Sequence, residues 1–231
     1  HIAGIVAHMS PQSKLLPVRV LNSNGRGNTF ALAYAIQWAV EHGANVINLS
    51  LGADANSRVL HEVIDDAIKQ GVIVVAAAGN NDTSTPQFPA SWPGVIGVTA
   101  VDAENAKAEF AAYGADWVDL AAPGVGITST IVGPLGSGYA SWSGTSMSTG
   151  FVSGAAALAR QRWPAAPVTE IQQLLTAHTR NVDAINPTYI GQLGGLLDVA
   201  AALAVAQPVP TPTPSVPAGG DNQLFLPFVR R

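Results

Sequence analysis

Cysteine is absent from this chain of 231 residues, which excludes disulfides, thiolate metal sites and cysteine nucleophiles together. Charge is scarce as well: charged residues make up 11% of the chain, the formal net charge is -4, and the lack of a basic stripe argues against nucleic acid as a partner. No apolar run reaches the roughly 18 residues of a membrane-spanning helix. The chain opens on His1 instead of Met and without the charged start of a signal peptide, so we expect a cut edge there and not a natural terminus.

Hydrophobic residues, by contrast, make up 48% of the chain, enough for a substantial buried core. Continuous runs rich in Val and Ile alternate with segments that carry apolar residues at helical spacing. Runs without polar alternation are typical of strands covered on both faces. We therefore predict an α/β fold of three layers, with a mostly parallel sheet and helices on both of its faces. The predicted strands are residues 15–21, 45–51, 72–79, 95–101 and 118–122, and the predicted helices are residues 29–42, 58–70, 146–162, 169–178 and 196–206.

The composition changes at residue 207. Residues 207–220 hold five prolines among Thr, Val and Ser, which is typical of an extended linker. Residues 221–231 follow as a short apolar tail that ends in two arginines. We expect a folded domain over residues 1–206, and we interpret the linker and tail as a tether with a cell-surface docking element; a disordered end is the alternative.

Ser146 begins the most apolar predicted helix, and Thr145 is its predicted N-cap. The first backbone N–H groups of a helix are unpaired and carry a partial positive charge. The N–H of Ser146 can therefore stabilise the oxyanion that forms when the Ser146 hydroxyl attacks a carbonyl. We predict that Ser146 is a nucleophile; an ordinary Ser/Thr helix cap is the alternative.

Asn80 follows a buried apolar strand that ends in Gly79, so its side chain projects at the carboxyl edge of the predicted sheet. Its amide can donate to the same oxyanion as the N–H of Ser146. A turn residue is the alternative, because Gly-Asn is common in turns.

Taken together, Gly144-Thr145-Ser146-Met147-Ser148 before an apolar helix and Ala-Ala-Gly-Asn after an apolar strand resemble the subtilisin-like serine peptidase family. The resemblance extends over residues 1–206, and its motifs occur in the order of the family. Further segments that resemble it are residues 1–7, 16–21, 46–52 and 122–125.

The resemblance implies a serine-type endopeptidase that forms an acyl-enzyme on Ser146, with Asn80 as oxyanion donor. It implies a polypeptide substrate, which adds as a strand between two backbone edges. It also implies an extracellular location and no required cofactor; structural calcium is common in the family, but no carboxylate cluster here makes a convincing site. The implied substrate-binding residues are Gly25, Arg26 and Gly27 on one edge, Ser50, Leu51 and Gly52 on the other, and Ala77, Ala78 and Gly79 in the pocket wall.

The general base of the family has no counterpart in this chain. The family takes it from the first histidine of a His-Gly-Thr-His motif, and Ile2-Ala3-Gly4 matches the stretch after the second one, so His1 is not the base. No Asp matches the orienting acid either, so we expect this chain to be inactive alone. The strand that bears this acid lies in mid-sheet in the family, so we expect predicted strands 15–21 and 45–51 to leave a gap or to pair directly.

Three other readings are open. A non-catalytic relative that binds peptides along the two edges is the main alternative. An unrelated α/β hydrolase is disfavoured because Gly144-Thr145-Ser146-Met147-Ser148 lacks the closing glycine of the nucleophile elbow. A dinucleotide-binding fold is disfavoured because no Gly-x-Gly-x-x-Gly follows the first strand.

Overall fold

Helices and strands alternate through the first half of the chain, as the apolar runs predict. The computed structural model describes residues 1–133, 136–205 and 223–227. In chain order, the first elements are α1 (Ile2–Met9), β1 (Lys14–Val18), α2 (Thr29–Glu41), β2 (Ala44–Leu49), α3 (Arg58–Lys69), β3 (Ile73–Ala77), β4 (Val95–Val101) and β5 (Leu120–Pro123).

The second half adds a hairpin, a long central helix and shorter elements. These are β6 (Ile127–Gly133), β7 (Gly136–Trp142), α4 (Thr145–Arg162), α5 (Val168–Ala177), β8 (Thr179–Arg180), a 3₁₀ turn (Pro187–Tyr189), β9 (Gly195–Leu197), α6 (Val199–Leu203) and β10 (Gln223–Pro227).

Eight strands form one sheet in the order β1-β10-β2-β3-β4-β5-β9-β8, and all neighbours are parallel except β8 and β9. The expected gap or direct pairing between β1 and β2 is wrong, because β10 lies between these two strands and is parallel to both. Pro17, which has no N–H to donate, is tolerated in β1 because β1 is at the edge of the sheet.

Helices cover both faces of this sheet, which confirms the predicted three-layer α/β fold. On one face, Ile47 of β2 and Val74 of β3 pack with α2 and α3. On the other, Val46 and Val75 pack with α1, α4 and α5. Successive strand residues point to opposite faces, so strands covered on both sides are buried throughout, as β3 and β4 are.

Two local predictions differ from the structure. Thr145 is the first residue of α4 and Gly144 is its N-cap, so Thr145 is not the cap. Leu196, predicted to start a helix, lies in β9 because Gly195–Leu197 pairs with β5 and β8. The hairpin β6–β7 was not predicted.

The predicted linker at residues 207–220 lies outside the described residues. Within the tail, Gln223–Pro227 is a strand of the main sheet.

Candidate active site

Ser146 is the second residue of α4 and is half-buried. Its hydroxyl donates to the carbonyl of Ser50, with 3.3 Å between the oxygens. The turn before the helix is anchored on β5: the Gly144 N–H donates to the Gly124 carbonyl at 2.8 Å, and the Ser148 hydroxyl donates to the Ala122 carbonyl at 2.9 Å. The start of α4 is therefore fixed to the sheet on both sides of Ser146.

Asn80, just beyond β3, is oriented by Thr145. Its Oδ1 accepts from the Thr145 N–H at 2.9 Å and from the Thr145 hydroxyl at 3.0 Å. A backbone N–H can only donate, so this contact identifies the amide oxygen and turns Nδ2 away from Thr145. Asn80 is exposed, and a Cβ built on Gly144 would lie 3.5 Å from its Nδ2. The amide donor thus lies beside the residue at which α4 begins.

The start of α4 carries partial positive charge without a neutralising side chain. The helix has 18 residues and no acidic residue in its first turn. The Thr145 N–H is capped by Asn80, whereas the N–H of Ser146 has no protein acceptor in the described part of the chain. Ser146 therefore combines a hydroxyl, a free N–H and the positive end of a helix.

A buried network of hydrogen-bonded side chains holds Ser50 in place. The Ser50 hydroxyl donates to the Ser146 carbonyl at 3.0 Å and accepts from Asn48 Nδ2 at 2.9 Å. Asn48 Oδ1 in turn accepts from the Ser153 hydroxyl at 2.9 Å, and both of these side chains are fully buried. The sequence analysis does not predict this network. The one indication of it in the sequence is Asn48, a polar residue inside an otherwise apolar strand.

The edge formed by Ser50, Leu51 and Gly52 follows β2 directly. It is held at its far end by a pair of backbone hydrogen bonds between Ala53 and Phe88, at 2.8 and 2.9 Å. Among the described residues, no backbone hydrogen bond engages Leu51 or Gly52. This edge has backbone groups available to an added strand.

In the edge formed by Gly25, Arg26 and Gly27, more of the backbone groups are already hydrogen-bonded within the protein than in the edge at Leu51. Both backbone groups of Arg26 bind Asn22, its N–H to Asn22 Oδ1 at 3.0 Å and its carbonyl to the Asn22 N–H at 2.9 Å. The Gly25 N–H also donates to Asn22. No described hydrogen bond joins this loop to Ser146 or Asn80. Because Gly25 and Arg26 already bind Asn22, the loop has fewer free backbone groups for a substrate strand than the sequence predicts.

The predicted pocket wall lies at the end of β3. Ala77 and Ala78 are buried, so they can offer a ligand their backbone and little side chain. Gly79 has a φ of +112°, and its N–H donates to the Thr145 hydroxyl at 3.2 Å. Thr145 therefore joins the pocket wall to the start of α4. This role differs from the helix N-cap that the sequence predicts for Thr145.

None of the five histidines, all of which lie in described parts of the chain, hydrogen-bonds to Ser146. His1 packs on the β6–β7 hairpin: its Nε2 lies 3.1 and 3.2 Å from the carbonyls of Ile127 and Ala140, and its ring stacks on Trp142. The other four lie in helices or at helix ends: His8, His42, His61 and His178. No Asp or Glu of the described residues contacts the Ser146 hydroxyl.

The described residues contain neither a candidate metal site nor a candidate membrane span. No group of three or more Asp, Glu, His or Cys side chains is placed to hold a metal ion. No described helix is both long and apolar enough to cross a bilayer.

Comparisons with known proteins show the family of this chain. The model of the Subtilase family matches residues 1–192. Alkaline elastase YaB from Bacillus sp. (strain YaB) is 38% identical over 197 residues, which are 85% of this chain and 50% of that protein. The thermophilic serine proteinase of Bacillus sp. (strain AK1) is 46% identical over 168 residues, which are 68% of this chain and 41% of that protein. The chain thus spans about half the length of these relatives.

Among solved structures, a cold adapted subtilisin-like serine proteinase superposes with a TM-score of 0.76 at 29% identity. The match covers 85% of this chain and 72% of that one.

Proposed function

This chain belongs to the subtilase family, and we propose from that premise that it supplies the nucleophile and the oxyanion donors of a serine-type endopeptidase. The observation that carries the proposal is the pair of hydrogen bonds from Thr145 to Asn80 Oδ1, which leaves Asn80 Nδ2 facing outward beside the helix that begins at Ser146. An amide donor and a helix N–H next to a serine hydroxyl are the groups that acyl transfer needs.

In the proposed reaction, the Ser146 oxygen forms a bond to the scissile carbonyl carbon while the carbonyl π electrons move to its oxygen. The N–H of Ser146 and Asn80 Nδ2 stabilise that oxyanion. Collapse of the intermediate breaks the C–N bond as the base returns the Ser146 proton to the leaving nitrogen, which departs as a free amine; water then attacks the acyl-enzyme, releasing the carboxylic acid and restoring the Ser146 hydroxyl. The substrate is a polypeptide, supported by the free backbone groups of Leu51 and Gly52, on which an extended chain can pair.

The hydroxyl proton needs an acceptor for this attack. In the resting site that acceptor is the Ser50 carbonyl, which is too weakly basic to remove the proton. Because no described histidine reaches Ser146, we propose that residues 1–231 alone hydrolyse peptide bonds slowly, and that a base from outside them completes the site.

A chemical rescue tests this proposal. Exogenous imidazole replaces the base, and an activated p-nitrophenyl ester replaces the peptide. We expect a burst of p-nitrophenol whose rate rises with imidazole concentration, and mass spectrometry that locates the acyl group on Ser146. Ser146→Ala should abolish the burst and leave only the bulk imidazole reaction.

A non-catalytic peptide-binding domain is the second candidate, favoured by the same lack of a histidine beside Ser146. It predicts saturable peptide binding with no acylation of Ser146 by the ester or by a fluorophosphonate, with or without imidazole. That outcome would contradict the peptidase proposal and support a peptide-binding function.

We also propose an extracellular location, supported by the likeness to the family. The surface-docking role predicted for residues 221–231 conflicts with the structure, because Gln223–Pro227 is paired between β1 and β2 in the main sheet. Cell fractionation of the full chain tests the location, and recovery of the chain in the cytoplasmic fraction would contradict it.

A further inference from the structure

Asn48 is a polar residue between two buried apolar residues of β2. Its side chain has no exposure to solvent, and neither do its neighbours Ile47 and Leu49. Burying an amide away from water costs free energy unless hydrogen bonds within the protein replace those to water. Replacing such a group and its partner together by apolar side chains is often neutral for stability. The stability of the fold therefore does not require an amide at this position.

The hydrogen bonds of Asn48 form a chain with a single direction. The Ser153 hydroxyl donates to Asn48 Oδ1 at 2.9 Å, and Asn48 Nδ2 donates to the Ser50 hydroxyl at 2.9 Å. The Ser50 hydroxyl then donates to the Ser146 carbonyl at 3.0 Å. Because every member donates to the next, each bond polarises and strengthens its neighbours. The chain begins on α4, crosses to β2 and returns to α4 at the nucleophile.

The two points at which this network holds α4 lie two turns apart. Ser146 and Ser153 are separated by seven residues, which is about 10 Å along a helix, and they lie on the same helix face. Apolar contacts also join α4 to β2, for example in the cluster that contains Val152 and Val46. Apolar contacts are not directional, whereas hydrogen bonds have narrow ranges of distance and angle. The network therefore fixes how far α4 can slide or rotate on β2.

We propose that Asn48 and Ser153 are positioning residues for the nucleophile, acting through Ser50. Their hydrogen bonds hold the first turn of α4 at a fixed distance from the edge formed by residues 50–52, on which the peptide substrate pairs. Neither side chain touches the substrate, since both are fully buried. The inference rests on the proposed peptidase function. A misplacement of about 1 Å costs on the order of 10²-fold in rate, so loss of the network should slow acylation of Ser146 more than it weakens substrate binding.

A double variant separates positioning from stability. Asn48→Leu combined with Ser153→Ala removes both buried partners together, so we expect a Tm within about 3 °C of wild type. The maximum rate of the imidazole-rescued burst, at saturating p-nitrophenyl ester, should nevertheless fall about 10-fold. The half-saturating ester concentration should change less than about twofold, because the interaction removed acts on the reacting groups and not on binding.

A pair of variants at Ser50 tests the last hydrogen bond and covers the case in which the double variant does not fold. Ser50→Ala removes the hydroxyl that binds the Ser146 carbonyl, whereas Ser50→Thr keeps a hydroxyl and adds a methyl group. We expect a loss of about 10-fold in the maximum burst rate for Ala and a smaller loss for Thr. A larger loss for Thr than for Ala would show that only the volume of the side chain matters, and would overturn the proposal.

Ser10→Ala is the matched control for these changes. Ser10 is a fully buried serine at the end of α1, and its hydroxyl lies 2.6 Å from the Ser13 hydroxyl, outside the network. This variant should keep the burst rate of wild type.

The same measurements distinguish a failure of this inference from a failure of the proposed function. A wild-type chain without an imidazole-dependent burst would overturn both. If wild type gives the burst, and the double variant and Ser50→Ala keep its maximum rate within about twofold, the positioning role alone is overturned. A raised half-saturating ester concentration at an unchanged maximum rate overturns it as well, because the network would then serve substrate binding.

Discussion

At the scale of single residues, Thr145 determines what Asn80 can do. Its N–H and hydroxyl both bind Asn80 Oδ1, and its hydroxyl also accepts from Gly79. The amide plane is thereby fixed before any ligand arrives. Donors that are oriented in advance stabilise a developing charge more than donors that must reorganise.

Replacing Asn80 should slow acylation of Ser146. Asn80→Ala removes the donor, and Asn80→Asp keeps an oxygen for Thr145 but places a negative charge beside the oxyanion. We expect a loss of roughly 10²–10³ for Ala, a magnitude measured on a subtilisin and not inferred from this chain, and a larger loss for Asp. The measurement is the imidazole-rescued burst rate. Asn81→Ala, one residue further on, is the matched control and should stay within about twofold of wild type; a wild-type rate for Asn80→Ala would refute the assignment.

Lys107 stabilises the segment that follows Asn80. Its side chain is 3% exposed, its Nζ lies 2.6 Å from Asp82 Oδ1, and the same nitrogen lies 4.8 Å from the ring centre of Tyr189. Lys107→Met removes the hydrogen bonds of this buried ammonium, and Asp82, which is 55% exposed, regains water; we expect a loss of about 1–2 kcal/mol in the free energy of unfolding, measured by urea denaturation.

The control for this change is Lys69→Met. Lys69 pairs with Asp65 at 2.5 Å, but its side chain is 66% exposed, and exposed pairs contribute about 0–1 kcal/mol. Equal losses for the two variants would mean that the burial of Lys107 does not increase the contribution of its ion pair to the free energy of unfolding.

The positions of Ser146 and Asn80 in the fold could be predicted, because Ser146 lies two residues after a glycine at the start of an apolar helix and Asn80 follows a glycine at the end of an apolar strand. Asn48 could not, because its partner Ser153 lies 105 positions away in the chain. Side-chain networks of this kind depend on tertiary contacts that no local window contains.

At the scale of elements, α4 is tightly packed against α1. Gly154 is buried at this contact, and a Cβ on it would overlap Met9 Cβ, which is too close to the backbone to move freely. Gly154→Ala should therefore destabilise the protein by about 1–3 kcal/mol, although alanine is the better helix former. The urea midpoint measures the effect.

Gly138→Ala is the comparison for this variant. Nothing lies within 4 Å of a Cβ built on Gly138, so we expect a change below about 0.5 kcal/mol. A neutral or stabilising Gly154→Ala would mean that α1 can shift away from α4 at little cost.

The elements that local composition predicts are those buried on both faces. β4 was predicted with its observed bounds because every one of its residues is apolar or small and buried. β10 was not predicted, since a proline within five residues argues against a strand and its pairing partners lie near the other end of the chain. The β6–β7 hairpin alternates between exposed and less exposed residues and lacks the continuous apolar run on which the other strands were predicted.

At the scale of the whole molecule, stability should fall from the centre of the sheet towards β1. β3 is fully buried and paired on both sides, whereas β1 is held in the sheet through β10 alone. Segments that share few contacts with the rest of the protein unfold locally at a lower free energy than the core does. The sheet therefore has a central unit and an edge unit composed of β1 and β10.

Hydrogen exchange should resolve these two units. In the wild-type chain we expect amides of β1 and β10 to exchange faster than those of β3 and β4, because they open locally. Leu224→Ala removes buried side chain at the centre of the edge unit, where such truncation costs about 2–5 kcal/mol. Protection of β1 and β10 should therefore fall by up to that amount while β3 and β4 keep most of theirs, as followed by mass spectrometry of peptides from each strand. A uniform fall across all four strands would mean that β10 is an inseparable part of one cooperative sheet.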